Sequence, residues 1–351
     1  MNSISGEAQV KVTQFVGPNA VQTDFSIETV PQTRPEPPAV ARARIDRLLS
    51  SNEVIAAGQG VAIMFPPNLS GVGNPSDVGL DIGAFTDGQD TSTRWESTAT
   101  VRQTRSLTLS PSEAGAQFGF GDGRTRSRVL LSGAMLVTAE NLGRDLSGVE
   151  ISFTFSVVRR QAGRDDTTPL AGEIALVGGP NGTVEVGRRV GAFNNVVIPV
   201  IDLNAVVPDA PLTKAIVFAG TEFPYEYDFS LNQPFELELL VTATVRTIPG
   251  GVGGLATFGT PPEGLGSVLD RVKKNDSGQR MIAAVNERVD TTGEAYVNQP
   301  VPLPGFGGLC GSGSAGLLPL MVVGGACAGR FRLRVRRARP GAGGAASRSD
   351  R

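Results

Sequence analysis

Histidine is absent from this chain of 351 residues, and only two cysteines occur. The first absence removes the commonest general base, the commonest metal ligand and every catalytic arrangement built on imidazole. The second leaves no disulfide framework and no cysteine-based zinc site, because Cys310 and Cys327 both lie in one uncharged stretch near the C-terminus. If that stretch is helical, about 25 Å of axis separates them, too far for a bond. Aromatic residues are few, and the single tryptophan, Trp95, is expected in or beside a core strand. No GxGxxG precedes a helix and no GK[ST] follows a glycine loop, so nucleotide binding has no support and no cofactor is expected.

Positive charge is scarce everywhere except at one end. Residues Arg330 to Arg351 hold eight arginines against one aspartate, net +7, whereas the first 329 residues hold 24 basic and 33 acidic groups, net −9. An acidic body without a basic patch argues against nucleic acid as a partner, since phosphate binding needs clustered Lys and Arg. The one basic cluster adjoins an apolar stretch, which favours a membrane reading. At the N-terminus no positively charged start precedes an apolar run, so no secretory signal peptide is visible in the sequence as it stands.

What the chain does have is glycine, proline and short alternating segments. Val149, Ile151, Phe153, Phe155 and Val157 alternate with Glu150, Ser152, Thr154 and Ser156. Phe235, Leu237, Leu239, Val241, Ala243 and Val245 repeat the pattern. Such segments are strands with one buried face. Turn signals at Gly121 to Gly123, Gly178 to Gly182 and Pro249 to Gly254 separate them too closely for crossover helices, so the strands are expected to be antiparallel. Near the start, two strands flank the turn at Gly17 to Asn19. Val40, Ala41, Arg44, Ile45, Leu48 and Leu49 recur at helical spacing after Pro38, which predicts one short helix over 38–50. The segment from Ser267 to Asp290, broken by the turn at Asn275 to Gly278, reads as a hairpin. The expected fold is all-β: an antiparallel, jelly-roll-like β-sandwich over 1–298 with that helix near its start.

Three groups of residues are candidates for chemistry. Asp77, Asp81, Asp87 and Asp90 could offer oxygens to Ca²⁺, although repeated aspartates in glycine-rich turns also bond their own backbone. Asp165 and Asp166 could be imagined as an acid and base, but adjacent strand residues face opposite ways and a solvated turn explains them as well. Tyr225 and Tyr227 with Glu226 could form a glycan contact, with sugars stacking on the rings while carboxylates bond hydroxyls. The alternative is an edge strand with exposed tyrosines.

The C-terminal fifty residues carry the most specific pattern. Val301, Pro302, Leu303, Pro304 and Gly305 form the motif VPLPG, and Gly305 to Gly329 is a run of twenty-five residues without a charge. At about 1.5 Å per residue that run is long enough to cross a bilayer core, so 306–329 is expected to be a transmembrane helix, although nine of the twenty-five are glycine and Pro319 interrupts the densest part. Arg330, Arg332, Arg334, Arg336, Arg337 and Arg339 follow and would hold 330–351 on the cytoplasmic side, with the acidic body outside.

Motif, apolar segment and arginine cluster, in that order, resemble the PEP-CTERM sorting signals of Gram-negative bacteria, and more closely their VPLPA variety. Val301 to Pro304 match, and Gly305 stands where alanine is usual. The resemblance implies recognition of the motif by an exosortase, a membrane-embedded processing enzyme, and retention by the arginines until processing. It implies an exported protein, held at the inner membrane and then delivered to the cell surface or the extracellular matrix, its export signal lying upstream of the given start. The expected function is that of a non-enzymatic envelope or matrix protein. An extracellular polysaccharide-binding module and a carboxylate-dependent hydrolase remain as alternatives.

Overall fold

Alternation of apolar and polar side chains governs the backbone from its first strand. The computed structural model describes residues 3–33, 39–48, 54–64, 78–88, 90–110, 122–138, 145–202, 213–258 and 296–302. The chain divides into two units, Met1–Gly308 and Leu309–Arg351, and every described residue belongs to the first. Its strands form two antiparallel sheets packed as a β-sandwich.

Strands β1 (Ser3–Val16) and β2 (Asn19–Thr33) make a hairpin around Gly17, whose φ of +61° suits a residue without a Cβ. The chain then crosses to the second sheet for the meander β3 (Ala39–Leu48), β4 (Val54–Met64) and β5 (Val78–Thr86). Strand β6 (Arg94–Leu107) returns beside β1, and β7 (Asp122–Thr138) lies in the second sheet. A second meander, β8 (Glu150–Gln161), β9 (Thr167–Gly178) and β10 (Val184–Gly191), extends the first sheet, and β11 (Ile201–Asp202) with β12 (Thr213–Ser230) extends the second. Two later strands then fill the centre. Strand β13 (Phe235–Arg246) enters between β8 and β6, and β14 (Gly253–Phe258) enters between β7 and β5.

The sheet orders are β10-β9-β8-β13-β6-β1-β2 and β11-β12-β7-β14-β5-β4-β3. Strands that follow one another across the layers face one another, as β2 does β3, β5 does β6, β7 does β8 and β13 does β14. The run β1 to β4 therefore wraps one edge of the sandwich. Between the layers, Phe153 and Phe155 of β8, Phe193 of the short 3-10 turn Ala192–Asn195, Phe218 and Phe223 of β12, and Phe258 of β14 form one aromatic cluster. Phe153 stacks on Phe258 across the layers at 3.8 Å between centroids.

The helix expected over 38–50 is instead β3. Two periods compete there, and the strand period wins because it buries Ala41 and Ala43 completely while Arg42 and Arg44 stay outside. A helix would have wrapped those arginines around an apolar stripe too thin to hold it. The expected hairpin within 267–290 and the transmembrane segment 306–329 lie outside the described residues. Among the described residues no helix is long and apolar enough to cross a membrane.

Candidate functional site

The expected sorting motif begins inside the fold. Strand β15 (Tyr296–Pro302) pairs antiparallel with β7, setting Val301 opposite Arg126 and Pro302 opposite Thr125. Strand β12 covers one edge of β7 along its whole length, so β14 and β15 share the other edge end to end. Pro300 and Pro302 have no N–H to donate, and by the period of two they lie on one edge of β15. Only the edge carrying Val297, Gln299 and Val301 can supply every donor of a ladder. Leu303, Pro304 and Gly305, and the arginines 330, 332, 334, 336, 337 and 339, lie outside the described residues.

Three of the four aspartates of the calcium reading fall among the described residues. Asp77 is outside the described residues, and Asp81 sits in β5 opposite Val61. The Asp87 N–H donates to the Ile55 carbonyl at 2.8 Å. Asp90 uses both carboxylate oxygens on its own loop: Oδ1 accepts from the Ser92 N–H at 2.8 Å and Oγ at 2.7 Å, while Oδ2 accepts from Thr93 Oγ1 and from the Trp95 indole N–H at 3.2 Å. Burial raises the cost of its charge, but the bonds from Thr93, Ser92 and Trp95 outweigh it and hold the carboxyl well below the usual range. The Asp90 oxygens are thus satisfied by the turn that closes β5 onto β6. Among the described residues no group of three or more metal-ligating side chains assembles.

The tyrosines named for a glycan contact are not exposed. Tyr225 and Tyr227 are buried at 4% and 5% exposure, with their rings 6.1 Å apart and Tyr227 packed against Phe235 of the opposite sheet. Strand β12 alternates, so its tyrosines share the inner face with Phe223 and Phe229 while Glu222, Glu226 and Asp228 point outward. Those acids meet arginines of β7: Arg128 to Glu222 at 2.7 Å, and Arg124 to Asp228 at 2.7 Å and to Glu226 at 3.9 Å. Among the described pairings β12 is hydrogen-bonded around its tyrosines to β7 alone, β11 reaching only Lys214 and Ala215, so the expected edge strand is there but its tyrosines are buried against the opposite sheet instead of exposed.

At the β8–β9 turn Asp165 and Asp166 are both exposed. Asp166 lies 3.4 Å from Arg160, which also binds Glu238 at 3.1 Å, and Arg164 pairs with Asp122. A shallow depression beside this turn is lined by Arg159, Gly163, Arg164, Asp165 and Thr167. Arg159 continues the inner row Ile151, Phe153, Phe155 and Val157 and is only 4% exposed. Among the described residues its Nε and Nη1 have no hydrogen-bond partner. In register it stands beside Leu237, whose other neighbour is Arg105, a second inner-facing arginine at 6% exposure. The apolar residues of the row end at Val157, and two further steps of the same period reach Arg159 and Gln161. Gln161 is well placed there: its Oε1 accepts from the Ser230 N–H at 2.9 Å and so fixes the β12–β13 turn.

No protein-family model matches this chain, and no curated protein matches it. Among solved structures there is a similarity to the 2.6 Å structure of infectious bursal virus derived T=1 particles, at 11% identity over 83% of this chain and 76% of that chain, with a TM-score of 0.09. A likeness at that level carries no argument about fold or function.

Proposed function

We propose that the chain is an exported cell-envelope or extracellular-matrix protein, a jelly-roll-like sandwich delivered by a C-terminal signal of the exosortase type. The observation that carries this reading is the ordered run of Val301 to Gly305, the uncharged segment to Gly329 and the six arginines from Arg330 to Arg339. The eight arginines beyond Gly329 support the same orientation, since Lys and Arg beside a span are retained on the cytoplasmic side while acidic residues contribute little. The last described strand ends at Pro302, within the motif, which fits a folded cargo followed directly by its address.

In this reading the partners are the bilayer and a membrane-embedded processing enzyme, and the sandwich itself has a structural role at the surface. The dense outer-face pairing of arginines with carboxylates, such as Arg246 with Glu96 at 2.9 Å and Arg160 with Glu238, leaves a surface of balanced polarity suited to an aqueous exterior. The test is fractionation of the native host followed by mass spectrometry of the purified protein. A C-terminal peptide ending at or near Val301 to Gly305 supports processing. A peptide continuing to Arg351 in surface material overturns it.

A further inference from the structure

Arg159 poses a question that the sorting reading does not touch. A guanidinium cannot shed its charge, and burying it without a counter-ion costs several kcal/mol, which is why interior arginines are found paired. The neighbouring charges are already committed: Arg160 to Glu238 and Asp166, and Arg164 to Asp122. Arg159 alone turns inward from this turn, with two of its three nitrogens shut off from solvent and without a partner among the described residues. The depression beside it is lined by Arg159 together with Gly163, the cationic Arg164, Thr167 with its hydroxyl and one carboxylate residue, Asp165.

We propose that this depression is an oxyanion site in which Arg159 is the binding residue and Arg164 and Thr167 are its rim. The planar fork of a guanidinium matches a carboxylate, sulfate or phosphate group, and a partly desolvated fork binds more strongly than one in water. Asp165 repels a crowded polyanion but accepts hydroxyl donors, so a single oxyanion group with hydroxyls beside it satisfies every rim residue. Two sources carry that chemistry: a free inorganic oxyanion, and an acidic sugar unit. The proposal is independent of how the C-terminus is handled.

Linkage provides the test. Full-length protein and its Arg159→Met variant are melted in increasing sodium sulfate against sodium chloride at matched ionic strength, and in oligogalacturonate against a neutral galacto-oligosaccharide. At a hundredfold excess over its dissociation constant the anion should raise the wild-type Tm by about 5 °C beyond the control. Arg159→Met should show no anion-specific rise, and without anion it should melt above the wild type, because it removes an uncompensated buried charge while keeping a chain of similar length. Asp165→Asn, at an exposed position, should lower the anion's apparent dissociation constant about threefold by removing the rim's repulsion. A larger effect of oligogalacturonate than of sulfate at equal concentration assigns the sugar source, and the reverse order assigns the inorganic one. Equal responses of wild type and Arg159→Met, or an anion-free Arg159→Met that melts below the wild type, overturn the proposal.

Discussion

Replacing Phe153 with alanine removes the ring that joins the two layers at their centre. Phe153 is fully buried, stacks on Phe258 of the opposite sheet at 3.8 Å, and lies 6.2 Å and 6.4 Å from the rings of Phe155 and Phe193. Truncating a buried phenylalanine costs about 3 to 5 kcal/mol, made of lost transfer energy and of the cavity left behind. The upper end applies here, because β8 is held on both sides by β9 and β13 and cannot sink into the void. Loss of the aromatic contacts acts in the same direction. We therefore expect about 4 to 5 kcal/mol, read by urea unfolding as a midpoint lowered by about 1.5 M at an unchanged slope near 3 kcal/mol/M. Val197→Ala, at a side chain 92% exposed, should stay within about 0.5 kcal/mol of wild type. A loss below about 2 kcal/mol for Phe153→Ala would refute the claim that this layer of rings holds the sheets together.

Other outcomes follow from the same structure. Asp90→Ala should cost about 1 to 2 kcal/mol at pH 7, since it strands the donors of Ser92, Thr93 and Trp95. Because the Asp90 carboxyl is held below its ordinary value in the folded state, its contribution is complete above the unfolded pKa near 4 and is lost as pH falls towards the folded value; the gap between wild type and Asp90→Ala should narrow below about pH 4. Gly191→Ala should destabilise by about 2 kcal/mol or more, because φ is +63° and a Cβ would meet the Ala171 carbonyl oxygen at 2.2 Å. Gly17→Ala, with φ of +61° and open space around it, should cost only about 1 kcal/mol. Tyr227→Ala should lower stability by about 3 kcal/mol or more, in contrast to the small change an exposed tyrosine would give, and chemical denaturation distinguishes the two.

The strands with the longest alternation were the most legible. The inner faces of β8 and β13 could be read directly from Val149 to Val157 and from Phe235 to Val245, because a period of two sustained over four or more steps has no helical equivalent. Segment 38–50 misled for the opposite reason: Val40, Ala41, Arg44 and Ile45 satisfy a helical stripe and Ala41, Ala43 and Ile45 satisfy a strand, and only pairing with β4 decides between them. The tyrosines were misplaced because polar tips and flanking carboxylates suggest a surface, whereas burial is set by which sheet covers the strand. Asp90 shows how a local turn imitates a ligand cluster. Its oxygens were correctly seen as donors' targets, and the nearest donors were the loop's own. Arg159 was invisible for a different reason: an arginine at the end of an apolar row looks like the row's end, although the period of two keeps it on the inner face.

The central claim is the address carried by Val301 to Gly305 and the arginines beyond the uncharged segment. It is tested most directly by intact-mass measurement of the protein recovered from the surface of its native host, compared with a variant carrying Pro302→Ala and Pro304→Ala. The account predicts a wild-type C-terminus at or near the motif and retention of the variant in the membrane fraction with its arginines attached. Wild-type surface protein that keeps Arg330 to Arg339, or a variant processed like wild type, would contradict it.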